Sequence, residues 1–379
     1  MTKVKARSKY YYSFTSRSDN KSQHIQYHTY HITYIMRLSD AIQEYDNAKL
    51  LQYLQEQIEN KGRQEEVMQI MKYNDPVDGG EETSLQLALY NNKSEEVIFK
   101  LIEIGGRELV MKESSTGSTA LHYVCCNENA SFDIVSKLIE VGGRELVMLN
   151  DGFGHTALHY ACENINVSLD IISKLSEVGG RELVMKNDQY GYTSLHIACE
   201  NRNVVLDIIS TLLKVGGREL TMANNNNQYG YNVLHTACQK ESNSVDYISK
   251  LIEVGGKELV LKKDGYGYTA LHYACDNRDA SFGIISNLIE VGGRELINMK
   301  ENDTGCTVLH YACSNNHTSF FDIISKLTEV GGKELTLEKD KYGYTALHIA
   351  CDNKYTSPDI ISKLLDVGGR ELVLENNGH

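Results

Sequence analysis

The stretch Thr156 to Tyr192, TALHYACENINVSLDIISKLSEVGGRELVMKNDQYGY, begins again at Thr193 and recurs along most of the chain. Corresponding positions are Thr83, Thr119, Thr156, Thr193, Asn232, Thr269, Thr307 and Thr345, at successive steps of 36, 37, 37, 39, 37, 38 and 38 residues. A period of this size specifies a stacked array, because one unit is too small to bury its own apolar face and needs a neighbour on each side. Eight units therefore fill residues 83–379. The longest step carries the polar insertion Asn224 to Asn227, which a surface loop absorbs at little entropic cost.

Within one unit, Thr156 is placed to cap a first helix on which Leu158, Ala161 and Cys162 form a narrow apolar face at i, i+3 and i+4. A second helix is predicted from about Ser168 to Val178, with Ile171, Ile172, Leu175 and Val178 as its buried stripe. Gly179-Gly180 is expected to stop it through a left-handed C-cap, after which Leu183 and Met185 return to the core. Asp188-Gln189-Tyr190-Gly191-Tyr192 reads as a projecting turn, a finger, with Gly191 at positive φ.

The order Asp188-Gln189-Tyr190-Gly191-Tyr192-Thr193-Ser194-Leu195-His196-Ile197-Ala198 resembles the signature of the ankyrin repeat, a D-x-x-G-x turn followed by T-P-L-H-x-A, and it does so in unit after unit. The resemblance implies an all-α solenoid of helix-turn-helix units with projecting fingers. Two departures stand out: the proline is Ala, Ser or Val, and the period is about 37 instead of 33. The extra residues fall in the turn between the helices (Asn164 to Val167) and in the GGRELVMK segment. Residues 38–82 match only weakly and are expected to form a helical N-terminal cap or degenerate unit. Residues 1–37, with six Tyr and seven Lys or Arg against Asp19 alone, are expected to be a basic, disordered leader.

Formal net charge is −13, and because residues 1–37 carry +6 the remaining chain carries −19, so the array is a poor nucleic-acid ligand by itself. No apolar h-region or membrane-length apolar run is present in the sequence, which predicts a soluble intracellular protein, cytoplasmic in preference to nuclear. Seven of the nine cysteines share one position of the unit, where adjacent layers lie ~8–10 Å apart. That exceeds the ~7 Å reach of a disulfide, so they read as small buried residues.

The His-x-x-Cys spacing of His159 and Cys162 can offer half of a zinc site, and Gly-Gly-Arg/Lys-Glu superficially resembles a phosphate loop. Both patterns recur in every one of seven or eight units, which fits architecture and not a unique pocket. Thr156, His159, Cys162, Gly179 and Gly180 are accordingly assigned to the repeat signature, with no metal, no cofactor and no small-molecule substrate expected. The Arg-Glu pairs beside each Gly-Gly are placed to form ladders between units.

The candidate contact positions are the finger pair around the turn glycine and the variable residue after the first helix. The finger pairs are Phe153 and His155, Tyr190 and Tyr192, Tyr229 and Tyr231, Tyr266 and Tyr268, and Tyr342 and Tyr344. The variable loop positions are Glu128, Ile165, Arg202, Glu241, Arg278, His317 and Tyr355. In the resembling family these positions line the concave groove, where tyrosine offers large contact area at low rotamer cost. The same rings are also suited to stacking on one another and stiffening the array, so contact and stacking remain two readings of them.

A non-enzymatic scaffold that binds a protein partner through the finger and first-helix surface is the function this pattern predicts. A regulatory or targeting section of a larger signalling enzyme or channel is the second reading, and nucleic-acid binding through the basic arm the third. The last unit keeps the interior apolar pattern, including Ile360, Ile361, Leu364 and Leu365, which reads either as part of a longer array or as an apolar patch that invites self-association through an uncapped end. If the arm binds RNA, deletion of residues 1–37 removes all salt-sensitive RNA retention in a filter assay, and retention unchanged by the deletion eliminates the third reading.

Overall fold

The computed structural model describes residues 41–43, 45–59, 82–225, 229–240, 244–279, 281–315 and 320–375. The leader 1–37, most of the segment 38–82, the end of the insertion before unit 5 and the variable residues Glu241 and His317 lie outside these.

Each unit is a short first helix, a turn and a longer second helix. In unit 3 these are Ala157–Glu163 and Leu169–Val184; in unit 4, Ser194–Glu200 and Leu206–Met222. Successive units stack in register, first helix on first helix and second on second. Between units the chain crosses in a finger closed by an isolated antiparallel bridge, as at Asn150 with Thr156 and Asn187 with Thr193. Among the described residues no longer strand forms, and the architecture is the all-α solenoid that the repeat predicts.

The core is one continuous column. Leu158, Ala161 and Cys162 from the first helix meet Ile171, Ile172 and Leu175 from the second, and the equivalent residues of each unit continue the column above and below. Ala and Cys keep the first helices close enough for this contact. At the N-terminal end the helix Asn47–Glu59 covers unit 1 with Leu50 and Leu54. Lys93 Nζ and the Ser94 N–H bond back to Tyr45 and Asn47. At the other end Cys351 is exposed, whereas its six counterparts from Cys125 to Cys313 are buried, because each of those has a further unit stacked on it.

The Gly-Gly pair behaves differently from the stop expected of it. Helical hydrogen bonding resumes after a kink, so that Leu169–Val184 runs through both glycines and Arg181–Val184 forms a further helical turn. Gly180 sits at φ 61, ψ −161, an extended positive-φ conformation almost confined to glycine, and not in the left-handed helical region. Gly179 serves another purpose: a Cβ there would lie 2.4 Å from Leu183 Cβ, so its bareness lets the new turn fold back onto the helix. The change of direction puts Leu183 and Val184 fully into the core, with Met185 partly buried and packed against it.

Gly180→Ala forces a β-carbon into a glycine conformation and Gly179→Ala forces one into Leu183. Each is expected to destabilise the array by roughly 1–3 kcal/mol in chemical denaturation.

Candidate functional site

The finger is built on Asp188. Its Oδ1 accepts the N–H groups of Tyr190 (2.9 Å) and Tyr192 (2.8 Å), while its own N–H donates to the Tyr192 carbonyl (2.9 Å). Gly191 closes the turn at φ +82. The Gln189 N–H donates 2.9 Å to the Phe153 carbonyl of the preceding finger, tying the row together. Asp151, Asp264 and Asp340 repeat the arrangement, with Asn225 before unit 5 and Glu301 before unit 7 as substitutes.

Below the fingers the signature histidines link each unit to the next. His159 Nδ1 accepts the Thr156 N–H at 3.0 Å and lies 2.8 Å from its hydroxyl, which leaves the ring proton on Nε2 to donate to the Tyr192 carbonyl at 3.2 Å. His310 and His235 reach Tyr344 and Lys262 in the same way, at 3.1 and 3.0 Å. In His159, His235 and His310 both ring nitrogens are thus engaged in architecture, and burial lowers the pKa of His122, His159, His196, His235 and His272 to about 4. Burial pushes the Cys162 thiol far above its ordinary range, which disfavours its thiolate form. In unit 1 Gln86 stands at this position. Its Oε1 accepts from the Thr83 N–H (2.7 Å) and its Nε2 donates to the carbonyls of Lys112 (2.9 Å) and Ser118 (3.0 Å).

Two further ladders run between units. The Gly-Gly-Arg/Lys-Glu cations reach the glutamate of the next unit, as in Arg107 with Glu145, Arg144 with Glu182 at 2.6 Å and Lys257 with Glu295 at 2.8 Å. Arg107 Nη1 also donates to the Gly142 carbonyl, 2.7 Å away, satisfying the end of the neighbouring helix before its kink. The pairs are exposed, so each contributes little. A ladder that the sequence reading missed lies at the end of the first helix: the amide of Asn164 donates to the carbonyls of Cys125 (3.0 Å) and Asn127 (2.7 Å). Asn201 does the same to Cys162 (2.9 Å), and Asn277, Asn315 and Asn353 follow. Its one signal was an asparagine recurring after each first helix, broken at Lys240.

The candidate contact residues fall into distinct groups. Tyr229, Tyr231, Tyr266 and Tyr268 join Tyr273 and Tyr311 of the first helices in one run of rings. Centroid separations there are 5.3–5.8 Å, with Tyr229 stacked at 11° on Tyr231. There the stiffening reading of the tyrosines has a direct geometric basis. Tyr342, Tyr355, Phe153 and Arg278 are exposed at separate points, with the Lys354 ammonium 4.9 Å from the Tyr355 ring. Tyr344 borders a depression of about 830 Å³ at the end unit, beside Leu347, Ile349, Ile361 and Leu365.

The remaining five, His155, Ile165, Tyr190, Tyr192 and Arg202, come together. They line a depression of about 540 Å³ on the finger and first-helix side of units 3 to 5, with Glu163, Asp188, Ile197, Glu200 and Lys240. Ile165 is 55% and Tyr190 52% exposed at its edges. His155 Nε2 lies 3.2 Å from Asp188 Oδ2, and its Nδ1 lies 3.9 Å from Asp151 Oδ2. Burial alone would lower its pKa, but the two carboxylates outweigh burial and raise it.

The model of the family described as ankyrin repeats (3 copies) matches residues 85–179, 126–224, 206–293 and 279–375. This chain belongs to the ankyrin-repeat family. Among solved structures, the ankyrin-repeat chain is similar to the ankyrin repeat domain of Bcl-3, a member of the IkappaB protein family. The identity is 24% and the TM-score 0.50, over 66% of this chain and 99% of that one, which is a likeness of fold. No curated protein sequence matches. Ankyrin repeats are in general protein-interaction modules, and among the described residues of this one no helix is long and apolar enough to cross a membrane.

The neutral histidines give the ankyrin-repeat array a defined response to acid. Their folded pKa of about 4 lies below the 6.5 of an exposed imidazole, so between these values the unfolded chain binds more protons. Stability present above pH 6.5 is lost as pH falls towards 4; the raised pKa of His155 works in the opposite direction, its contribution fading as pH rises. His159→Gln, which copies Gln86, is expected to keep the fold and to reduce the slope of stability against pH by about 1.4 kcal/mol per pH unit at most in that window. Urea titrations at half-unit steps of pH measure the difference.

Proposed function

We propose that the protein is a non-enzymatic ankyrin-repeat scaffold that holds an extended segment of a protein partner against the fingers and first helices of units 3 to 5. One observation carries this reading: five candidate contact residues, of which His155, Ile165 and Arg202 vary from unit to unit while Tyr190 and Tyr192 repeat in other fingers, converge on a single depression. Residues that maintain the array recur in nearly every unit, so variation concentrated on one surface supports a role outside the array.

The chemistry of the depression suits a peptide. Ile165 and Tyr190 offer exposed apolar area at the rim, which a partner removes from water on binding. Arg202, Lys240, Glu163 and Glu200 add charge of both signs around it, favouring one register of a bound segment over others. The Tyr229–Tyr311 run of rings lies in the adjoining units and stiffens the same surface, so little ordering entropy accompanies binding.

The test is affinity capture with the full chain, carried out in parallel with Ile165→Ser/Tyr190→Ser and with Tyr342→Ser as a control on another finger. Specific partners retained by the wild type and by Tyr342→Ser are expected to fall at least tenfold with the double variant, at unchanged circular dichroism. Retention of the same partners by all three proteins removes the depression from the interaction.

A further inference from the structure

The depression exists because two side chains are small. Along the array the fourth residue of the first helix is Tyr123, Tyr160, Ile197, Thr236, Tyr273, Tyr311 and Ile349. Where it is tyrosine, the ring lies over the finger/first-helix surface and the hydroxyl is engaged by a finger or the segment before it. Tyr160 donates to Asp151 Oδ2 at 2.5 Å and Tyr273 to Asp264 Oδ2 at 2.5 Å, each the aspartate that organises that unit's finger. Tyr123 donates to Glu82 at 2.7 Å and Tyr311 to the Tyr268 hydroxyl at 2.7 Å. The rings have recurrent neighbours. Tyr160 meets His155 of its own finger at 5.4 Å and His122 of the preceding unit at 5.9 Å. Tyr273 meets Tyr268 of its own finger at 5.3 Å, and Tyr231 and His235 of the preceding unit at 5.8 and 5.9 Å.

At unit 4 every one of these surroundings is kept and the ring is gone. Ile197 stands in place of tyrosine, Tyr192 is the own-finger aromatic, and His155 and His159 are the aromatics of the preceding unit. Asp188 holds its finger through Oδ1, as Asp151 and Asp264 do. Its Oδ2, the counterpart of the oxygens that take the tyrosine hydroxyls in units 3 and 6, faces the His155 ring at 3.2 Å. His155, Asp188, Tyr192 and Ile197 all line the 540 Å³ depression, and Thr236 keeps the next position small as well. The depression at the end unit likewise has Ile349 at this position beside Asp340 and Tyr344.

We infer that the depression at unit 4 is a socket for a tyrosine side chain of the bound segment, its ring over Ile197 between Tyr192 and His155, its hydroxyl donating to Asp188 Oδ2. The molecule itself supplies the precedent, since Tyr160 and Tyr273 occupy the equivalent places from within the chain. A phenol satisfies all three features of the site: an apolar floor, flanking rings that favour edge or offset contacts, and an ionised acceptor at the depth of the hydroxyl. Phenylalanine would fill the volume and add no hydrogen bond to Asp188 Oδ2 beyond that of His155, and a cationic side chain would give up the flanking edge contacts. This inference rests on the groove reading for the identity of the ligand as a protein segment, while the socket itself can be tested without any partner.

The probe is p-cresol, the tyrosine side chain cut at its β-carbon, titrated against the full-length protein with toluene as the matched compound lacking the hydroxyl. Isoleucine-methyl and histidine-ring NMR signals report on Ile197 and His155. Saturable shifts at both are expected with p-cresol, at least tenfold tighter than with toluene. Asp188→Asn retains the acceptor that shapes the finger, as Asn225 does naturally, and is expected to bring p-cresol down to the level of toluene. Ile197→Tyr should plug the socket, abolish the shifts at His155 and raise Tm. Equal binding of the two probes, or p-cresol binding that persists in Ile197→Tyr, overturns the inference. The two proposals separate: loss of partners with Ile165→Ser/Tyr190→Ser but no p-cresol binding leaves the groove and removes the tyrosine anchor. Specific p-cresol binding with partner capture unchanged by that double variant leaves the socket and removes the groove.

Discussion

The structure depends on the fact that no unit can be satisfied alone. A first helix of seven residues and a second helix with a kink bury their apolar stripes only between two neighbours, so the contacts that define one unit are largely contacts with the next. The signature histidine is the polar form of the same dependence. Its ring closes the start of its own helix through Nδ1 and reaches the next finger through Nε2, and it does so neutral, because burial removes the charged form. A glutamine with the same reach replaces it in unit 1, which shows that the geometry of one acceptor and one donor is the requirement and the imidazole a particular solution.

Regularity of this kind has a consequence for where function sits. Positions that recur are already committed: Leu158 and Cys162 to the column, Asp188 Oδ1 to the finger, Asn164 to the preceding turn, Gly179 and Gly180 to the change of direction. Specificity is left to the few places at which one unit departs from the rest. At unit 4 the departure is a subtraction, Ile197 where tyrosine stands in four other units, and the missing ring leaves a shaped vacancy with its acceptor still in position.

Much of this was legible in the residues. The period, the two helices per unit, the finger and its positive-φ glycine, and the cation-to-glutamate ladder all follow from short-range pattern, and the family follows from the recurrence of one signature. The Gly-Gly pair was misread because adjacent glycines signal a helix stop equally well as a kink. Only the fit of Leu183 against Gly179 selects the kink. The asparagine ladder was missed because its acceptors, carbonyls 37 to 39 residues upstream, belong to another unit and leave no local trace.

By itself, then, the sequence determined the unit, its number and its order, since helix period, capping and turn chemistry act over a few residues that each copy carries within it. Tertiary structure alone decided which of the variable side chains share a surface. His155, Ile165, Tyr190, Tyr192 and Arg202 come from successive units and become neighbours only when the units stack. It also decided which tyrosines pack on each other and which stay open, because ring contacts at 5 to 6 Å are set by the spacing between layers, and that spacing is a property of two units in contact, written in neither one.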